Sequence, residues 1–324
     1  MVTSLIKHVN LLESGYSFLK SSVTRKAFVR GMPLSISAEL TNNCNLKCPQ
    51  CFSGSGLMKR EHGFMDIDLF KKVMKELGPY LYYVNLYFQG EPMLHPQFFT
   101  FVEHCSNSYS VVSTNGHFLS LENSEKLVTS RLKKLIISLD GLDQETYSSY
   151  RVNGSMIRVI EGLNNVVHAK KVHKSTLRIE LQLLVNRINE HMIPHIKLLA
   201  KSVHAQLNLK SMQILDNNEI GSWLPTGSRF RRYDISNGEY KNKNTLPDRC
   251  ARLWFNPVIT WDGKIVPCCF DKDGEYVMGD LNHDSFRDIW EGPKYRIFRK
   301  SILSGRHLID ICRNCTSGLR GVRY

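Results

Sequence analysis

The chain has 324 residues, of which 42% are hydrophobic and 23% charged, and its formal net charge is +13. This composition is ordinary for globular proteins and the length suits two domains, so a disordered or fibrous protein is excluded. No apolar run reaches the roughly 18 residues that a spanning helix needs, and the N-terminus lacks the apolar core of a signal peptide. We therefore expect a cytoplasmic protein with no membrane span, whose nine cysteines bind metal or stay as thiols.

The basic residues are scattered along the chain, apart from short clusters at 228–233 and 241–244. A solvated basic surface explains such a pattern. The more specific interpretation is that the basic residues attract an anionic substrate or an acidic peptide. No nucleic-acid-binding motif accompanies the clusters, so we expect no nucleic-acid partner.

Strand-like and helical patterns alternate along most of the chain. Residues 1–33 are weakly amphipathic and predict an N-terminal helical extension. Helical patterns with apolar residues on one face follow at 66–77, behind the capping residue Asp66, at 155–171 and around 195–203. The six strand-like runs are 34–41, 82–88, 110–114, 132–140, 177–185 and 206–215.

Six strands that alternate with helices imply right-handed βαβ units and a parallel sheet. Six are too few for the complete eightfold barrel, whereas a curved six-stranded partial barrel and a doubly wound sheet both fit. The pattern breaks at 216–249, which is polar, contains Gly and Pro and predicts a linker. Residues 250–324 have short strands, a WDGK turn at 261–264 and cysteines of their own, and predict a second, small domain.

Three cysteines lie close together directly after the first predicted strand: Cys44, Cys48 and Cys51. Each thiolate on a cubane iron–sulfur cluster binds one iron, and clusters that only transfer electrons usually have four cysteine ligands. Three ligands leave one iron open, at the carboxyl end of a strand where α/β proteins place their chemistry. A zinc site or a set of free thiols is the alternative.

This spacing of three and then two residues resembles the radical S-adenosylmethionine (SAM) superfamily, with Phe52 as an aromatic neighbour. The resemblance covers about residues 34–215 and implies a partial (β/α)6 radical SAM barrel. It also implies a [4Fe–4S] cluster on Cys44, Cys48 and Cys51 that binds SAM. Reductive cleavage of SAM would yield a 5′-deoxyadenosyl radical, which abstracts a hydrogen atom from the substrate.

Further strand ends resemble the cofactor-binding motifs of that family. The second strand runs into Gln89, Gly90 and Glu91, where the family commonly has Gly-Gly-Glu-Pro; Gln89 departs from this pattern, which a backbone contact tolerates. The third strand ends in STNG at 113–116 and the fourth in ISLDG at 137–141. The cofactor-binding candidates are Gln89, Gly90, Glu91, Ser138 and Arg151, with Arg158 as the alternative to Arg151 at the cofactor carboxylate.

The C-terminal region holds a second cysteine set, with Cys250 and Cys268 on either side of a predicted hairpin and Cys312 and Cys315 in a CxxC motif. Four thiolates would complete a tetrahedral set for zinc or a closed iron–sulfur cluster. The arrangement resembles the shortened SPASM domain called twitch, which implies one auxiliary [4Fe–4S] cluster on these four cysteines. Cys269 could replace Cys268, although neighbours on a strand face opposite ways.

These features predict a radical SAM enzyme of oxidoreductase type that uses two [4Fe–4S] clusters and SAM, with catalytic residues that the sequence does not identify. We expect a small polar substrate, and a reductant such as flavodoxin or ferredoxin. The twitch-type region resembles that of aminocyclitol dehydrogenases, and only about 33 residues precede the first strand, fewer than a leader-binding domain needs. The alternatives are a peptide maturase that acts with a separate leader-binding protein, and a non-enzymatic electron carrier or zinc module. Candidate substrate contacts are Gln182, Asn186 and Gln213.

Overall fold

All six predicted strands form, in the predicted order along the chain. The computed structural model describes residues 2–236, 239–243 and 245–317, and it adds five short strands after residue 230. The strands are β1 (Ser35–Ala38), β2 (Tyr83–Asn85), β3 (Tyr109–Thr114), β4 (Lys134–Ser138), β5 (Arg178–Val185), β6 (Gln206–Ser211), β7 (Tyr233–Ser236), β8 (Glu239–Asn242), β9 (Val258–Ile259), β10 (Lys264–Val266) and β11 (Gly279–Asp280).

The predicted helices at 66–77, 155–171 and 195–203 also form, as α3, α7 and α8, and the N-terminal extension contains one long helix, α1. The α-helices are α1 (Val2–Thr24), α2 (Phe52–Ser55), α3 (Ile67–Leu77), α4 (Phe98–His104), α5 (Leu121–Thr129), α6 (Gln144–Tyr150), α7 (Met156–Val172), α8 (Ile193–Ser202), α9 (Ile220–Trp223), α10 (Arg252–Phe255), α11 (Phe286–Glu291), α12 (Pro293–Gly305) and α13 (Asp310–Arg313).

Local side chains set where these helices begin. The Asp66 carboxylate accepts hydrogen bonds from the backbone N–H groups of Asp68, at 2.7 Å, and Leu69, at 3.0 Å. It thereby satisfies two donors that have no partner inside the first turn of α3. The Ser155 hydroxyl accepts in the same way from Arg158 N at the start of α7. The capping role predicted for Asp66 is confirmed.

The chain divides into two compact units. Among the described residues, the first contains 2–43, 59–111 and 246–315, and the second contains 44–58, 112–236, 239–243, 245 and 316–317. Within the first unit the strand order is β11-β10-β9-β1-β2, followed by the first half of β3 up to Val111. Strand β1 pairs in parallel with both β2 and β9, while β9, β10 and β11 pair antiparallel.

Within the second unit the strand order is β4-β5-β6. Strands β4, β5 and β6 pair in parallel, with Ser138 opposite Gln182 and Gln182 opposite Asn208. Side chains on both faces of β4 are buried, as is usual in parallel sheets covered by helices. The ladder between β5 and β6 ends where Val185 pairs with Ser211, so β6 stops four residues before the predicted end at 215.

The stretch at 216–249 contains the helix α9 and the antiparallel hairpin β7–β8, among other short elements. Trp223 and Tyr233 from this stretch are buried in one apolar cluster with Leu46 and Cys48. In the first unit, β9 and β10 form the predicted hairpin around Asp262 and Gly263. The boundaries that we predict for a linker and for the two domains stay predictions.

Candidate functional site

The three N-terminal cysteines lie together in the second unit. Cys48 is buried, Cys44 and Cys51 are half-buried, and all three pack against the apolar cluster that contains Leu46 and Tyr150. Burial raises the pKa of the Cys48 thiol, and the nearby Arg151 guanidinium opposes this effect only in part. An apolar wall beside three sulfur atoms provides a water-poor surface on which a cluster can be held.

Backbone and side-chain hydrogen bonds fix the loop that carries these cysteines. Cys51 N donates to Cys48 O at 3.2 Å, and Lys47 N donates to Val152 O at 3.0 Å. The Gln50 side chain accepts from Leu215 N at 2.6 Å, and its amide also bonds the Glu219 carboxylate. The loop is therefore held by contacts on both sides of Cys48.

Several N–H groups point at the cysteine sulfur atoms. Leu46 N donates to Cys44 Sγ at 3.4 Å, and Asn115 Nδ2 lies 4.0 Å from the same atom. Arg151 Nη1 lies 3.8 Å from Cys48 Sγ. Donors directed at sulfur favour the thiolate, which is the form that binds iron. Sequence reasoning missed this role of Asn115, although the residue lies in the STNG stretch that it had singled out.

Arg151 is held in place by Asp140. Its Nε donates to Asp140 Oδ2 at 2.6 Å, and the Asp140 side chain is fully buried. The second carboxylate oxygen, Oδ1, accepts from Leu184 N at 2.7 Å. Burial by itself would lower the pKa of Arg151, but Asp140 and Cys48 raise it well above its ordinary value. Arg158 is exposed on α7, so the geometry favours Arg151 over Arg158 as the candidate for a carboxylate near the cysteines.

The other polar candidates of the second unit differ in their surroundings. Ser138 is buried at the end of β4, and Gln182 is half-buried opposite it on β5. The Asn186 side chain is used within its own turn, since its Oδ1 accepts from Ile188 N and its Nδ2 donates to Leu184 O. Asn186 therefore serves the turn after β5, while Gln213 is half-buried beyond β6.

The candidates that follow β2 lie in the first unit. Gly90 has a φ of +73°, and a Cβ at this position would lie 2.5 Å from Thr41 O and 2.6 Å from Asn43 O. Glu91 N donates to Asn43 O at 2.8 Å, and the buried Glu91 carboxylate accepts from Met93 N. Half-buried Gln89 completes the stretch. These contacts fix the backbone immediately before Cys44 in the chain.

The C-terminal cysteines form a second set, within the first unit. Cys250, Cys268, Cys312 and Cys315 are all buried, whereas Cys269 is half-buried. Burial, and next the charges of neighbouring cysteines, raises the pKa of Cys268. Burial raises the pKa of Cys312 to about 11. The difference in exposure supports Cys268 over Cys269 as the buried member of the set.

Two arginines accompany these cysteines. Arg306 Nη2 donates to Cys315 Sγ at 3.2 Å, and the charge of the same guanidinium opposes the rise in the pKa of Cys312. The charge of Cys269 raises the pKa of Arg252 against the opposing effect of burial, and Cys268, Cys250 and Cys315 raise it further. Sequence reasoning missed both arginines, and no motif in the sequence marks them.

The donor sets fit iron–sulfur clusters in number and chemistry. Each set is all-thiol, lies beside N–H donors to sulfur, and is largely buried. Among the described residues, no three His, Cys, Asp or Glu side chains lie close enough together to hold a single metal ion. The ligands of a cubane each bind a different iron and need not converge on one point.

Cys105 lies apart from this chemistry: its buried thiol donates to Phe101 O at 3.3 Å, and burial raises its pKa.

Comparisons with known families agree with this geometry. A model of the radical SAM superfamily matches residues 38–196, and a model of the SPASM iron–sulfur cluster-binding domain matches residues 250–316. Together they cover more than half of the chain, which belongs to the radical SAM superfamily and carries a C-terminal SPASM-type domain. It is a radical SAM enzyme with the partial-barrel fold, and its cofactors are a SAM-binding [4Fe–4S] cluster, an auxiliary [4Fe–4S] cluster and SAM.

Relatives in this superfamily act on different kinds of molecule. A tungsten-containing aldehyde ferredoxin oxidoreductase cofactor-modifying protein of Pyrococcus furiosus is 27% identical over 86% of this chain and 86% of its own. The SAM-dependent 2-deoxy-scyllo-inosamine dehydrogenase of Niallia circulans is 24% identical over 87% and 92%. The antilisterial bacteriocin subtilosin biosynthesis protein AlbA of Bacillus subtilis is 26% identical over 81% and 60%.

Solved structures show the same fold. BtrN in complex with AdoMet and 2-DOIA aligns with a TM-score of 0.55 over 91% of this chain and 98% of BtrN, at 19% identity.

In the part of the chain that is described, no helix has the length and apolar character required to cross a bilayer.

Proposed function

We propose that this enzyme oxidises a small polar metabolite, removing a hydrogen atom from a carbon that bears a hydroxyl group. The observation that carries this proposal is the C-terminal set of four buried cysteines beside Arg306 and Arg252. Such a set suits one auxiliary cluster that takes up an electron, as an oxidation requires. The similarity to a dehydrogenase over nearly the whole length of both chains supports the same reaction type.

In this proposal, Cys44, Cys48 and Cys51 hold the SAM-binding cluster, and Cys250, Cys268, Cys312 and Cys315 hold the auxiliary cluster. When bound, the first cluster supplies the electron that cleaves SAM, whose 5′-deoxyadenosyl radical takes the substrate hydrogen. Arg151, fixed by Asp140, pairs with the SAM carboxylate through its guanidinium fork. The backbone of Gln89 and Gly90, with Glu91 and Ser138, provides the remaining polar contacts to SAM.

Oxidation of an alcohol by this route removes one hydrogen atom, one proton and one electron from the substrate. The hydrogen atom leaves the carbon, the proton leaves the hydroxyl group, and the remaining electron goes to the acceptor as the carbonyl forms. The net charge of +13 favours an anionic or phosphorylated substrate through long-range attraction. A flavodoxin or ferredoxin is the proposed reductant, and nine cysteines that form no disulfide suit a reducing cytoplasm.

A peptide substrate is the second candidate, because the bacteriocin biosynthesis protein matches 81% of this chain. This relative is longer, with 60% of its length covered. The dehydrogenase matches over 92% of its own length, and this similarity favours a small-molecule substrate.

The test is deuterium transfer into 5′-deoxyadenosine under anaerobic conditions with reductant and unlabelled SAM. Cyclic polyols and their amino and phosphorylated derivatives, each deuterated at one carbinol carbon, are offered in turn. We expect one substrate to place deuterium in 5′-deoxyadenosine and to be recovered as a carbonyl compound. The variant with Cys44, Cys48 and Cys51 all changed to Ala is the control and should transfer none. Label that arrives only from a peptide would overturn the proposal and favour the second candidate.

A further inference from the structure

Arg306 occupies an unusual position for a cation, buried among the C-terminal cysteines of the first unit. It is 1% exposed, and its Nη2 donates to Cys315 Sγ at 3.2 Å. The charge of the same guanidinium opposes the rise that burial causes in the pKa of Cys312. Burial of an arginine is costly unless anionic or polar groups compensate for the lost water. The cysteine sulfur atoms are therefore the compensating partners.

Further contacts hold the Arg306 side chain and backbone in place. Nη1 donates to Arg249 O at 3.0 Å, and the backbone N–H donates to the Asp248 carboxylate at 2.8 Å. Both partners directly precede Cys250. Arg306 thus connects the segment of Cys250 to the CxxC segment of Cys312 and Cys315. Its guanidinium group has little freedom to rotate away from Cys315.

A fixed guanidinium beside a proposed cluster ligand has a predictable electrostatic effect. Reduction by one electron adds a negative charge to a cluster and its thiolates. A nearby positive charge stabilises that extra charge, and hydrogen bonds to ligand sulfur atoms act in the same direction. The effect is strong where water is excluded, as around these four buried cysteines.

We propose that Arg306 is a positioning residue that raises the reduction potential of the auxiliary cluster through its hydrogen bond to Cys315. This inference rests on the proposed function, in which the auxiliary cluster takes up the electron that the substrate loses. A higher potential favours that transfer. Arg252 adds positive charge beside Cys269 and Cys268, but Arg306 is the arginine that bonds the sulfur atom of a proposed ligand.

The test measures the potential directly, without substrate or turnover. The full-length chain with Cys44, Cys48 and Cys51 changed to Ala is reconstituted so that only the auxiliary cluster remains. Its midpoint potential is determined by anaerobic titration with detection by electron paramagnetic resonance. Arg306→Met in this background should lower the equilibrium constant for one-electron reduction about tenfold, which corresponds to about 59 mV toward more negative potential.

Two further variants complete the experiment. Arg306→Lys keeps the charge but loses the fork, so we expect a smaller shift in the same direction. Arg296→Gln removes an exposed arginine of α12 and should leave the potential unchanged. An unchanged potential in Arg306→Met, or an equal shift in Arg296→Gln, would overturn the inference. If both Arg306 variants lose the cluster, the residue serves assembly rather than potential, and the inference is wrong.

The same preparation separates this inference from the proposed function. A parent chain that holds no iron would show that the auxiliary cluster itself is absent, and both proposals would fall. A parent chain with a normal cluster whose potential does not respond to Arg306 would leave the proposed oxidation standing.

Discussion

Asp140 fixes the orientation of Arg151, with 2.6 Å between Arg151 Nε and Asp140 Oδ2. The carboxylate is fully buried, and the Arg151 side chain is only 12% exposed. Its Nη1 reaches toward Cys48 Sγ, at 3.8 Å. One arginine therefore lies between a buried carboxylate and a candidate cluster ligand, and we propose that it binds a carboxylate of the cofactor from this position.

Asp140→Asn should weaken SAM binding about tenfold, because Arg151 loses the charged partner that orients its fork. Affinity is measured by anaerobic equilibrium dialysis with the reconstituted enzyme. Arg158→Gln is the matched control, since Arg158 is exposed and lies on the next helix. Its affinity should be unchanged. Equal losses in the two variants would argue against the special role of Arg151.

Removal of any one of the three N-terminal cysteines should abolish cleavage of SAM. A cluster with only two protein ligands is not retained in a state that can bind SAM. Formation of 5′-deoxyadenosine is followed by chromatography for Cys44→Ala, Cys48→Ala and Cys51→Ala. Cys105→Ala is the control, because that buried thiol bonds Phe101 O and should be dispensable for the reaction. A triple variant that works at the parental rate would refute the cluster assignment.

The reconstituted protein should contain about eight iron and about eight sulfide per chain, because two cubane clusters are proposed. The triple variant of Cys44, Cys48 and Cys51 should retain roughly half of this iron. Iron, sulfide and zinc are quantified on the same samples. Stoichiometric zinc together with about four iron would assign the C-terminal cysteines to a zinc site instead.

Gly90→Ala should impair SAM binding much more than Gly56→Ala. Both glycines have positive φ, of +73° and +77°, so both substitutions incur backbone strain of about 1 kcal/mol. A Cβ on Gly90 also meets Thr41 O and Asn43 O at 2.5 and 2.6 Å, whereas a Cβ on Gly56 has no atom within 4 Å. The clash displaces the backbone that leads into Cys44.

Affinity for SAM and iron content are measured for both glycine variants. A parental affinity in Gly90→Ala would show that the turn after β2 does not contribute to cofactor binding. Equal losses in the two variants would attribute the effect to strain alone.

Local patterns in the sequence were sufficient for the order of elements and for the family. Short strand-like runs between helical patterns predicted β1 to β6, because strands that are covered on both faces consist largely of buried residues. The Asp66 cap predicted the start of α3 for a purely local reason, a side chain bonding N–H groups two and three residues ahead. The spacing of Cys44, Cys48 and Cys51 is likewise a short-range feature, since one loop carries all three sulfur atoms.

Only the tertiary structure determines which charged side chains lie beside the cysteines. Arg306 meets Arg249 and Asp248 across more than fifty residues of sequence, and Arg151 meets Cys48 across about a hundred. No period or spacing in the sequence marks such pairs, because they depend on which segments the folded core brings together. Burial then sets their strength: the same arginines in water would interact weakly with sulfur, and only the exclusion of solvent makes them important for the chemistry.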